Sequence, residues 1–171
     1  MSLVTQTPQI RIFNSYEEIE VGSSFTSSGR TITETDVLLF SALIAGFHNP
    51  IHHNVPWIKA NTKYRDKLFP GPGVLSYAIG LLSATLAYRT ILIGFLGLDK
   101  VVIHEPVYPG DTIIARSTVK AKRVTSKGNQ GVVDFDIEVF NQDDKVVMTF
   151  KYKNMVRVDP PQPPTPKKLN P

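Results

Sequence analysis

The chain of 171 residues contains no cysteine. Disulfide frameworks and thiolate metal sites are thereby excluded, and the absence fits a reducing compartment. The N-terminal stretch Met1–Pro8 lacks a basic start followed by an apolar run, so it does not read as a secretory signal. The expectation is a cytoplasmic protein. Charge of either sign is scattered. The net charge is +4, and the only basic groupings are Lys167-Lys168 and the loose set Lys120, Lys122, Arg123. No dense basic stripe with interleaved aromatics is present, which argues against nucleic-acid binding. A modest positive field still suits a phosphate-bearing small molecule.

No long uncharged run is apolar throughout. The stretch Gly71 to Tyr88 carries no formal charge but is short for a membrane span. It contains Pro72, Ser76, Ser83 and Thr85 and is closed by Arg89, so a core helix surrounded by apolar neighbours is the better reading, with no membrane partner. With 42% hydrophobic and 20% charged residues, the chain is ordinary for one soluble domain. Six of its 13 prolines fall in Asp159–Pro171. That segment is expected to be a disordered, extended tail, leaving residues 1–8 as an extension and 9–158 as the folded unit.

Within that unit the patterns run from helical to extended. Residues 10–14 suit a short strand and 24–32 an extended segment. Thr33 caps a helix with acids in its first turn. Val37, Phe40, Leu43 and Ile44 then recur at helical spacing, and the helix should end near Gly46, because Pro50 keeps Asn49 out of the helical region. A short helix or ordered loop over 56–67 carries Lys59, Lys63, Arg65 and Lys67, with Trp57 as a core or interface anchor. A rigid turn at Phe69-Pro70-Gly71-Pro72-Gly73 leads into a helix over 74–88. Strands are expected at 90–96, 100–105, 112–124, 131–141 and 145–158. Helices first and antiparallel strands after define an α+β class. A sheet curled around the 74–88 helix accommodates both halves.

Three motifs carry a resemblance: Gly46-x-x-Asn49-Pro50-Ile51-His52, Pro70-Gly71 ahead of an apolar helix, and Pro106-Val107-x-x-Gly110-Asp111-Thr112. Their order and spacing resemble the MaoC-like (R)-specific enoyl-CoA hydratase and dehydratase family, over roughly residues 25–158. The resemblance implies a hot-dog fold, a homodimer whose sheets join, and a coenzyme A thioester as substrate, with no cofactor. It also implies an aspartate and a histidine that hold a water for addition to a 2-enoyl thioester. A backbone N–H at the start of the central helix would receive the thioester oxygen.

Residue by residue, the histidine falls on His52, the loop-shaping asparagine on Asn49, and the oxyanion donor on Gly71, or on Gly73 if the turn shifts. Ser76 is a weaker polar candidate. The aspartate position falls on Phe47, which can neither accept a hydrogen bond nor hold a water. His48, His53 or Asn49 would then have to take over part of the water, with Phe47 and His48 lining the substrate. Lys59 and Lys63 are candidates for the coenzyme A phosphates. Asp111 and Glu105 read as turn residues rather than spare acids. A metal held by His48 and His52 is not expected, since Pro50 interrupts the helix face that such a pair needs. The readings left open are a hydratase or dehydratase weakened at Phe47 by the lost acid, an acyl-CoA thioesterase, and a non-catalytic acyl-CoA-binding subunit.

Overall fold

The computed structural model describes residues 2–9, 12–44, 49–85, 91–160 and 165. Short strands β1 (Ser24–Thr26) and β2 (Arg30–Thr31) are followed by helices α1 (Glu34–Leu39), α2 (Val55–Asn61) and α3 (Gly71–Thr85). Four long strands complete the fold: β3 (Leu92–Ile103), β4 (Thr112–Val124), β5 (Gln130–Phe140) and β6 (Val146–Arg157). The sheet is antiparallel in the order β1-β4-β5-β6-β3, with β2 also on β4.

Strict alternation in β5 turns Val133, Phe135, Ile137 and Val139 inward. They join Phe150, Tyr152 and Val156 of β6 and the Val74, Ala78 and Leu82 stripe of α3 in one core. The i, i+4, i+8 spacing of that stripe places all three side chains on one side of the helix. Its other side is open: Ser76, Gly80, Ser83 and Ala84 are exposed. The helix expected to be buried all round therefore keeps one small-residue stripe facing outward, and it begins earlier than expected, at Gly71.

Other expectations are also corrected. The strands expected at 90–96 and 100–105 are one strand, β3. It keeps its pairing with β6 through register shifts at Leu92/Gly94, Phe95/Gly97 and Asp99/Val102, where bulges absorb the residues that break alternation. Asp99-Lys100 looks like a turn but is one of these irregularities, with Lys100 at φ 52° and its N–H donated to Asp99 Oδ1 at 2.8 Å. No strand covers Ile12–Asn14; Phe13 is buried in the core from irregular backbone, while Ile10 and Arg11 lie outside the described residues. Trp57 is exposed, and Ile58 is the residue of α2 that is buried. Most of the proline-rich tail lies outside the described residues, but Thr165 exchanges two hydrogen bonds with Val124 at the end of β4. No described helix is long and apolar enough to cross a membrane.

The edge strand β3 exposes Leu92, Ile93, Phe95, Leu96, Leu98, Val101, Val102 and Ile103. A long apolar edge of this kind invites pairing with another chain.

α1 is fastened at its N-terminus. Thr33 and Asp36 form a reciprocal capping box. Asp36 also accepts from Tyr77 Oη of α3 at 2.7 Å and Arg30 Nη2 at 2.8 Å. Partial burial alone would raise the Asp36 pKa, but the Tyr77 and Thr33 hydrogen bonds and the Arg30 charge outweigh it and hold the group at about 2. A depressed carboxyl contributes stability that is present above its unfolded value near 3.8 and is lost as pH falls toward about 2. Asp36→Asn should therefore cost about 1–2 kcal/mol at neutral pH. In urea titrations from pH 6 down to pH 2, the gap to wild type should close below about pH 4.

Candidate active site

Asn49 accepts a hydrogen bond from Ile51 N–H on its own side chain at 3.2 Å, and Pro50 starts a single 3₁₀ turn that ends at His52. The proline supplies the turn's φ without a wasted N–H. Asn54 then caps α2 by accepting from Trp57 N–H at 3.0 Å. Between these two caps His52 is held half-buried.

The His52 ring is oriented by the segment that enters α3. Its Nδ1 lies 2.9 Å from the Leu68 carbonyl oxygen. A carbonyl can only accept, so Nδ1 carries the proton and donates it, and Nε2 is the basic nitrogen of the neutral ring. Leu68 N–H donates back to Ile51 O at 2.9 Å, and Phe69 N–H donates to Val107 O at 2.8 Å. Leu68 and Phe69 thus bind both the His52 turn and the Pro106-Val107 segment.

At the start of α3 the amides are unequal. Gly73 N–H is donated to Pro70 O at 2.8 Å and Val74 N–H to the same oxygen at 3.1 Å. Pro72 has no N–H. Gly71 N–H meets no acceptor among the described residues. Of the two glycines named from the sequence, Gly73 is thus spent on its own helix and Gly71 is available. A side chain at Gly73 would collide with the Phe69 ring, and one at Gly71 with Ile103 Cδ1.

His52 and Gly71 open on the same apolar cavity of about 260 Å³, whose walls include Leu68, Val74, Ile103 and Met148 and whose rim carries Glu105. A second hollow of about 400 Å³ lies between the His52-His53 turn and α1, with Ser41 and Lys67 in its lining. Ser41 belongs to a π-helical turn, Phe40–Ile44, and its buried hydroxyl has no hydrogen-bond partner. No spacing rule could have singled it out. A surface hollow of about 490 Å³ beside Lys120, Asp134 and Lys153 is lined by charges that pair with one another.

The remaining named residues are not drawn in. Ser76 is exposed and returns its hydroxyl to Pro72 O at 2.9 Å, so it does not reach the His52 turn. Lys59 and Lys63 are exposed and line neither cavity. Lys67 pairs with Glu34 at 2.8 Å. Arg65 pairs with buried Asp111 at 2.6 Å and lies over the Tyr108 ring. Asp111 is more than a turn former, since it also accepts from Tyr108 N–H and Gln142 Nε2. Gly46, Phe47 and His48 lie outside the described residues. No cluster of metal-ligating side chains occurs among the described residues.

A sequence model described as the MaoC like domain matches residues 18–139. The chain belongs to the MaoC-like family. Its curated relatives include Protein MaoC of Klebsiella aerogenes, 33% identical over 64% of this chain and 31% of that protein. A second is the beta-methylmalyl-CoA dehydratase of Chloroflexus aurantiacus, 29% identical over 92% of this chain and 44% of that protein. This MaoC-like chain therefore spans less than half the length of either relative. Among solved structures, one titled as a monoamine oxidase regulatory protein of Archaeoglobus fulgidus superposes with a TM-score of 0.79 at 33% identity, covering 89% of this chain and 99% of that one. The (R)-hydratase of Pseudomonas aeruginosa superposes with a TM-score of 0.65 at 22% identity, over 97% and 100% of the two chains. At that identity the likeness speaks for the hot-dog fold alone.

Two glycines of the MaoC-like central helix should respond oppositely to an added methyl group. Nothing approaches the position a Cβ would take at Gly80, so Gly80→Ala should stabilise by about 0.5–1 kcal/mol. Gly73→Ala presses on the buried Phe69 ring, which has no room to give, and should destabilise by about 1–3 kcal/mol. Denaturation midpoints of the two variants check both signs.

Proposed function

We propose that this protein adds water to a 2-enoyl-CoA thioester, or removes it from the 3-hydroxyacyl-CoA in reverse. The observation that carries this reading is the shared cavity, where an imidazole with its tautomer fixed by Leu68 and the uncommitted Gly71 N–H face one apolar volume. The thioester oxygen would lie at Gly71, where the helix N-terminus favours the negative charge that develops on it. His52 Nε2 would take a proton from water as the oxygen attacks C3, then return that proton to C2. The reaction needs no cofactor. Lys59 and Lys63, uncommitted on the surface near the α2 end, would meet the phosphates of coenzyme A. The dehydratase name of the Chloroflexus aurantiacus relative supports the same class of reaction.

A second reading, a non-catalytic acyl-CoA-binding subunit, is favoured by Phe47, which stands where the family resemblance places an acid. Turnover separates the two. Loss of the conjugated thioester absorbance of short and medium 2-enoyl-CoA substrates should be measurable with wild type, and His52→Ala should lower kcat by about 10²–10⁴-fold. Binding of the thioesters with no turnover at any chain length would leave the subunit reading.

The exposed edge of β3 fits a second copy of the chain, paired so that the two sheets become continuous. Ile93→Lys combined with Val101→Lys should shift the sedimentation coefficient from dimer to monomer. An unchanged coefficient in a folded variant would argue against this edge as the interface.

A further inference from the structure

The family resemblance places the water-holding acid on the His52 loop, where this chain has Phe47. Among the described residues, one carboxylate lines the cavity shared by His52 and Gly71, that of exposed Glu105. We propose that Glu105 serves as the second catalytic group, taking over the task of the absent loop aspartate from the Pro106 segment of the same cavity. This rests on the hydratase reading above and extends it.

The backbone places Glu105 firmly. Pro106 follows it and restricts it to extended geometry. His104 N–H and Glu105 N–H both approach Val147 O, at 2.9 and 3.4 Å, which fixes the segment to the start of β6. One residue beyond Pro106, Val107 O accepts from Phe69 N–H at 2.8 Å, so the Glu105 segment and the α3 N-terminus are joined by a direct bond. The carboxylate itself makes no ion pair or hydrogen bond with any described residue. The other candidate acid near His52 is Glu34, in the second hollow. It is already paired with Lys67 at 2.8 Å, and that hollow does not include Gly71. Among the described residues Glu105 is thus the uncommitted acid that lines the same cavity as the oxyanion donor.

The chemistry balances with one proton in transit. Water lies between Glu105 and His52, one hydrogen directed at the carboxylate and the other at His52 Nε2. As the oxygen forms its bond to C3, His52 accepts the second hydrogen as a proton. The C2=C3 π pair moves to give the thioester enolate, with its oxygen on Gly71 N–H. The imidazolium then delivers the proton to C2, and the thioester C=O reforms. Glu105 stays ionised throughout. It orients the water and stabilises the transient imidazolium, a task that a neutral amide performs poorly.

Glu105→Gln in the full chain tests this, with kcat and KM for 2-enoyl-CoA hydration measured beside wild type. The residue is exposed, so an unchanged melting curve is expected. The predicted result is a kcat lowered by about 10²–10³-fold with KM within about threefold of wild type. Wild-type turnover together with a Glu105→Gln kcat within threefold of it overturns this inference and leaves the hydratase reading intact, as does a change confined to KM. Absence of wild-type turnover on any enoyl-CoA overturns both.

Discussion

The hydrogen bond from His52 Nδ1 to the Leu68 carbonyl is the constraint on which the candidate site depends. It fixes the tautomer of the imidazole, and with it which nitrogen can act as a base. It also couples three parts of the chain that are distant in sequence. Leu68 reaches back to the Asn49-Pro50 turn, and Phe69 reaches forward to Val107. Pro70 then starts α3 and occupies the Gly73 and Val74 amides, leaving that of Gly71. The positions of His52, Gly71 and Glu105 around one cavity are consequences of this short segment of backbone.

A second constraint supports the first from the outside. Buried Asp111 holds Arg65 and the Tyr108 amide, which ties the segment before Leu68 to the turn after Val107. Asp36 does the same for α1, binding Arg30 from the β2 segment and Tyr77 from the central helix. Each carboxylate joins elements from different parts of the fold. Both stand in sites where loss of a partner would leave a partly buried charge, which costs more than the pair contributes when intact.

Much of this was legible in the sequence, and the physical reasons for the rest are specific. The alternation of β5 from Val133 to Val139 and the capped start of α1 are local signals, and the structure reproduces them closely. The Asn49-Pro50 turn and the Pro70-Gly71 helix start were readable because proline and glycine act locally. β3 was misread as two strands because bulges hide its continuity, and its pairing with β6 is a long-range fact. The choice between Gly71 and Gly73 needed the hydrogen bonds of Pro70. Glu105 looked like a turn residue because only tertiary structure brings it to the cavity that holds His52.

The candidate site is one volume lined by His52, Gly71 and Glu105, and a bound ligand reports on all three together. The most direct measurement is a crystal structure with a non-reactive 2-enoyl-CoA analogue. The thioester oxygen should lie within hydrogen-bond distance of Gly71 N–H, with the carbon corresponding to C3 facing both His52 Nε2 and the Glu105 carboxylate. A thioester bound outside this cavity, or one whose oxygen meets a donor other than Gly71, would contradict this placement.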